Sequence, residues 1–354
     1  MPDERIEAAI AHWAPRFTSQ GVDMNDFLAV TSGLEQWPEW LPAWVVNGDM
    51  HAELAQDAED QGRALTAGEA YVRAALSYHF AKFVWMVDFD LYVDATRQAI
   101  DALYAAHRLL DPTAERVEAP LDDFTIAGNL RLPRDSVSRG KPPLVLLLPG
   151  LDSTKEEFFT WENVFLERGL ATFSLDGPGQ GETGLQSSIY PNYEVAATAA
   201  LDALAGRDDV DLDRVGAAGV SLGGYYAPRA AAYEKRIKAA VGISGPFNFG
   251  ACWESMPGPT RDTVAHHTGS ASPEEAREKA AQLDLAEAAP LIDQPLLCIT
   301  GRHDRLIPWH ETQRIADEAP NAEFVLFEEG NHVCNNIPYK YRPLTADWLK
   351  EQLG

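Results

Sequence analysis

The chain has 354 residues, 45% of them hydrophobic, 10% aromatic and 23% charged, with a formal net charge of −25. This length predicts about two domains at ~150 residues each, and the composition excludes intrinsic disorder. An acidic excess of this size, spread over both halves, argues against nucleic-acid or anionic-membrane partners. It keeps a protein soluble and leaves a mild bias toward cationic substrates as the sharper reading.

The opening MPDERIEAAIAHW is charged and lacks a basic start followed by an apolar core, so no secretory signal is expected. No apolar run approaches the ~18 residues of a membrane span. Three cysteines, Cys252, Cys298 and Cys334, stand at no metal-like spacing and fit free thiols in a reducing compartment. A cytoplasmic location follows as the expectation.

Residues 1 to about 112 carry no convincing strand. Tyr71, Ala74, Tyr78, Ala81 and Trp85 recur at helical intervals, as do Tyr92, Ala95, Ala99, Ala102, Ala106 and Leu109. Thr66 with Glu69 reads as a capping box starting the first helix, and Asp111-Pro112 stops the second. Trp13, Trp37, Trp40, Trp44 and Trp85 either pack these helices or line a pocket roof.

From about residue 115 short apolar runs alternate with helical stretches, the pattern of a mostly parallel sheet. Strands are expected at Phe124 to Leu132, Leu144 to Leu148, Ala171 to Leu175, Arg214 to Ala218, Ala239 to Ile243, Leu296 to Thr300 and Phe324 to Phe327. Helices are expected at Glu156 to Glu167, Tyr193 to Leu204 and Tyr225 to Tyr233. Pro246 to Leu285 shows no strand and reads as an excursion between two strands.

The strongest local signal is Gly219-Val220-Ser221-Leu222-Gly223-Gly224, a G-x-S-x-G between a predicted strand and a predicted helix. A serine hydroxyl is a poor nucleophile at neutral pH and needs a base held by a third group. Asp304 and His332 each lie just past a predicted strand, and the chain order Ser, Asp, His is that of α/β-hydrolases. The expected catalytic set is therefore Ser221, Asp304 and His332. Backbone donors for the oxyanion are expected from Leu222, after the nucleophile, and Leu151, in Pro149-Gly150-Leu151-Asp152-Ser153. Asp176-Gly177-Pro178-Gly179-Gln180-Gly181 lacks phosphate-loop spacing and reads as a turn at the site rim. His266, His267 and His303 show no ligand spacing, so neither a metal nor a cofactor is expected.

These residues place the chain in the α/β-hydrolase fold class, with a mostly parallel sheet flanked by helices and an N-terminal all-helical cap. The domains are read as 1–114, the cap, and 115–354, the catalytic domain. His12-Trp13-Ala14-Pro15-Arg16-Phe17, Tyr78-His79-Phe80-Ala81-Lys82-Phe83 and the stretch from Leu148 to Glu157 resemble one branch of this superfamily. It is the 2,6-dihydroxypseudooxynicotine hydrolase family, with its related polyketide-shortening hydrolases. The resemblance covers nearly the whole chain and implies hydrolysis of a carbon–carbon bond beside a ketone, possession of the cap, and a homodimer. It also implies a further acidic residue for substrate binding or proton transfer, whose nearest match is Glu254.

The partner is thus a small-molecule substrate. A carboxylesterase with the same machinery is the nearest rival, and a non-catalytic binding protein on the same fold is the rival from another class.

Overall fold

A computed structural model describes residues 3–134 and 140–354. The chain divides into two compact units, Met1–Ala114 with Glu156–Thr160, and Glu115–Lys155 with Trp161–Gly354. It combines a helical N-terminal region with an eight-stranded, mostly parallel sheet flanked by helices.

The first unit is built from α1 (Glu4–Gln20), α2 (Met24–Thr31), α3 (Trp40–Asp60), α4 (Ala64–Ala81) and α5 (Phe89–Leu110). Asp3, Asp23 and Asp88 cap α1, α2 and α5 by accepting backbone N–H groups of the first turn. The capping box expected at Thr66 does not form, because α4 starts earlier at Ala64. Gly62 takes a left-handed turn (φ 71°), and the Arg63 carbonyl already accepts the Ala67 N–H at 3.0 Å, so Thr66 lies inside the helix.

Aromatic rings fill this unit. Phe17 stacks on Phe80 at 3.8 Å and meets Phe27, Trp40, Trp44 and Phe83. Trp40 donates its indole N–H to the Phe80 carbonyl at 3.1 Å, and Trp85 does the same to Trp37 at 3.0 Å. Each large side chain withdrawn from water here contributes roughly 1.5–3 kcal/mol.

Glu156–Thr160 belong to this unit because of one buried carboxylate. Arg16 grips Glu157 with two parallel bonds of 2.7 Å, Gln20 adds a third at 3.0 Å, and His79 Nε2 lies 3.2 Å away. The Arg16 guanidinium itself lies over the Phe83 ring, 4.3 Å from its centroid. Burial pushes His79 down, toward a neutral imidazole. Burial would raise Glu157, but the Arg16 charge overcomes it and holds the carboxyl well below the usual range.

The second unit is an eight-stranded sheet in the order β1-β2-β4-β3-β5-β6-β7-β8. Its strands are β1 (Glu115–Leu121), β2 (Phe124–Arg131), β3 (Pro143–Leu148), β4 (Ala171–Asp176), β5 (Asp211–Val220), β6 (Ile237–Ile243), β7 (Leu296–Gly301) and β8 (Ala322–Phe327). β1 and β2 pair antiparallel, as do β2 and β4, and the remaining neighbours run parallel. β3, β4 and β7 are buried along their whole length, which is why they read as unbroken apolar runs.

Sequence patterning misses β1. It is an edge strand with one buried residue, Ala119, and with Glu115 and Glu118 exposed, so no apolar alternation marks it. The stretch from Pro246 to Leu285 forms a 3-10 segment (Phe249–Ser255) and two helices (Gly258–His267 and Pro273–Ala281), tied at its ends by a single Asn248–Asp284 bridge. Among the described residues no helix is long and apolar enough to cross a membrane. Because β3 and β5 to β8 run in one direction, the loops after them emerge at one edge of the sheet.

Candidate active site

Ser221 sits between β5 and a helix spanning Gly223–Tyr233, with φ at 57°. Such a left-handed turn costs a non-glycine residue about 1–3 kcal/mol and persists only when its surroundings fix it. Two glycines make it feasible. A Cβ on Gly219 would collide with the Gly223 carbonyl, and one on Gly223 with the Leu148 carbonyl. The Ser221 N–H is tied to the Ile243 carbonyl at the end of β6, at 2.8 Å.

The structure brings Asp304 and His332 to this serine. Asp304 follows β7 and His332 follows β8. His332 Nε2 is 3.0 Å from Ser221 Oγ, while His332 Nδ1 is 2.8 and 3.0 Å from the two Asp304 oxygens. An acceptor-only carboxylate on Nδ1 favours the tautomer with the proton there and Nε2 as an acceptor facing the hydroxyl. Asp304 is itself held by the N–H groups of Leu306 and Ile307, each at 3.0 Å.

One residue at this edge escaped the sequence reading. Val333 and Cys334, directly after the histidine, both have positive φ (57° and 54°), as does Ser244 at the end of β6 (49°). The Ser244 hydroxyl accepts the Val333 N–H at 3.0 Å and fixes the strained histidine turn. No sequence motif marks a single serine after a strand for this task. Cys334 is no rival nucleophile, because burial and the nearby Asp304 charge push its thiol up to about 12.

Leu222 and Leu151 are both buried. Among the described residues neither backbone N–H is engaged by another group. The loop carrying Leu151 runs close beside Ser221, since a Cβ on Gly150 would lie 3.0 Å from Ser221 Cβ. His266, His267 and His303 join no metal-capable cluster among the described residues.

Glu254 is not brought to the triad. It lies on the 3-10 segment Phe249–Ser255 with its side chain 72% exposed, 3.2 Å from Arg277 and 3.6 Å from Arg261. The inward positions of that turn are taken by Cys252 and Trp253, so the carboxylate is left facing solvent. Glu254→Gln is accordingly expected to change kcat by less than about twofold, as a surface substitution away from buried features does. A tenfold loss of turnover with an unchanged melting temperature would return Glu254 to the site.

Residues 17–274 match the esterase FrsA-like family. Over 350 residues, 98% of this chain and 93% of the relative, the sequence is 30% identical to the 2,6-dihydropseudooxynicotine hydrolase of Paenarthrobacter nicotinovorans. The crystal structure of the 2,6-dihydroxy-pseudo-oxynicotine hydrolase superposes with a TM-score of 0.87 at 30% identity, covering 96% of this chain and 95% of that one. The alpha/beta hydrolase gkaG of Penicillium citrinum is 32% identical over 250 residues, 67% of this chain and 58% of that protein.

Proposed function

The chain belongs to the esterase FrsA-like family of α/β-hydrolase enzymes, and from that premise we propose that it hydrolyses a carbon–carbon bond next to a ketone. The substrate is an aryl ketone or a polyketide-like ketone. The observation that carries this reading is a serine, histidine and aspartate in hydrogen-bond series on a chain related over 98% of its length to a 2,6-dihydropseudooxynicotine hydrolase.

In the proposed reaction Ser221 Oγ adds to the ketone carbon as His332 Nε2 takes its proton. The carbonyl oxygen becomes an alkoxide, held by the N–H groups of Leu222 and Leu151. Collapse re-forms the carbonyl, breaks the bond to the ring carbon and sends the electron pair there. The imidazolium of His332 returns its proton to that carbon. Water, deprotonated by the same histidine, then cleaves the acyl group from Ser221 and releases a carboxylic acid. The leaving carbanion needs stabilisation, so ring hydroxyls belong to the substrate's requirements.

The family's esterase description favours a second reading, in which the same steps expel an alkoxide from an ester. Mass spectrometry of products from 2,6-dihydroxypseudooxynicotine, run beside p-nitrophenyl acetate, separates the two. A free dihydroxypyridine ring with an amino acid is the expected result. Turnover of the ester alone would overturn the carbon–carbon reading and leave the serine chemistry standing.

A further inference from the structure

The turn after β4, Asp176-Gly177-Pro178-Gly179-Gln180-Gly181, has no part in the triad, yet its side chains reach the loop after β3. Gln180 is 1% exposed and uses its amide to full capacity. Its Nε2 donates to the carbonyls of Pro149 at 2.7 Å and Gly150 at 2.9 Å. Its Oε1 accepts from the Gly177 N–H at 3.1 Å and the Tyr193 hydroxyl at 3.0 Å. The amide orientation is fixed by its partners, because two carbonyls can only accept and a backbone N–H can only donate. Asp176 anchors the far end of the same loop, accepting the Lys155 N–H at 2.8 Å and its ammonium at 2.9 Å.

A trans peptide points its C=O and N–H in opposite directions. Gripping the Pro149 and Gly150 carbonyls therefore fixes the aim of the Gly150 and Leu151 N–H groups, on a loop that passes beside Ser221. We infer that Gln180 is the positioning residue of the oxyanion site: its amide, oriented by Tyr193 and Gly177, holds the Pro149-Gly150-Leu151 backbone so that its N–H groups stay aimed for the developing negative charge. This rests on the serine reading of the preceding subsection. The alternative for a buried glutamine is simple filling of the turn, but filling does not require both amide hydrogens on two consecutive carbonyls of one loop.

The test is the rate at which a fluorophosphonate modifies the full-length protein, because its phosphoryl oxygen occupies the oxyanion position during attack by Ser221. The wild type should be labelled and Ser221→Ala should not. Gln180→Met, similar in volume and unable to donate, is expected to be labelled about 30-fold more slowly, short of the 10²–10³ lost with a whole oxyanion donor. Tyr193→Phe keeps the ring stacked on Tyr226 at 3.8 Å and removes one bond to Gln180. It should fold as the wild type does and slow labelling by about 3-fold, a loss of alignment rather than of a donor. It decides the matter should Gln180→Met not fold.

The pH midpoint of the labelling rate should stay at the wild-type value in both variants, since His332 and Asp304 are untouched. Labelling of folded Gln180→Met and Tyr193→Phe at the wild-type rate would overturn the inference while leaving the triad intact. A shifted pH midpoint would overturn it too, placing the effect on His332. Failure of the wild type to react would instead remove the serine reading itself.

Discussion

Ser221→Ala is expected to lower kcat by about 10⁵ to 10⁶, a barrier increase of roughly 7–8 kcal/mol, because in the proposed reaction Ser221, His332 and Asp304 act as a unit and alanine offers no nucleophile. The Cys334 thiol, two residues after the histidine, is kept protonated by burial and the Asp304 charge. Stability should be almost unaffected. Alanine retains the Cβ and the positive φ of the elbow, and the N–H bond to Ile243 is a backbone bond. The measurement is turnover of the wild type and variant on the same substrate, with melting temperature alongside. A loss below a hundredfold in folded protein would mean that water is activated without a covalent intermediate. His332→Ala should match Ser221→Ala within an order of magnitude, since neither acts without the other.

Arg16→Met should cost about 3–5 kcal/mol of stability at neutral pH, the loss found when one partner of a buried ion pair is removed. The guanidinium is the strongest partner of Glu157, whose side chain is 1% exposed, so the variant takes the compensating Arg16 charge away from a buried carboxylate. The pH dependence has a definite sign. In the wild type the Glu157 pKa lies well below 4.5, so its contribution is complete above that value and is lost only as pH falls through the depressed one. Without Arg16, burial remains and raises the carboxyl, so the variant relieves its penalty by taking up a proton. The gap between wild type and variant should therefore be widest above pH 7 and should narrow as pH falls toward the usual 4.5.

Urea unfolding followed by tryptophan fluorescence checks this, since five of the nine tryptophans, Trp13, Trp37, Trp40, Trp44 and Trp85, belong to the same unit as Arg16. Arg16→Met combined with Glu157→Gln should recover part of the loss at neutral pH. A penalty below about 1 kcal/mol, or one that grows on acidification, would show that the Arg16 grip on Glu157 contributes little.

Much of the site was legible because its chemistry demands particular residues at particular places in the fold. A serine at a strand-to-helix elbow needs small neighbours, and Gly219 and Gly223 supply them at fixed offsets. Asp304 and His332 follow strands, and a parallel sheet collects the ends of its strands whatever their separation in sequence. Ser244 and Gln180 were not legible as positioning groups, because a lone hydroxyl or amide acquires meaning only from the backbone atoms it touches. Glu254 stands for the opposite case, in which a residue of suitable type and position in the chain turns outward because Cys252 and Trp253 occupy the inward positions.

By itself the sequence determined the α/β class, the run of buried strands, the helical nature of the first hundred residues and the strand-end positions of Ser221, Asp304 and His332, all of which depend on local pattern and chain order. Only the tertiary structure decided where charge is buried and which loop is clamped by which side chain. Arg16 and Glu157 are 141 residues apart, and Gln180 and Pro149 are 31 apart. No local propensity encodes such pairings. They exist because a close-packed interior leaves one arrangement in which each buried donor and acceptor finds its partner.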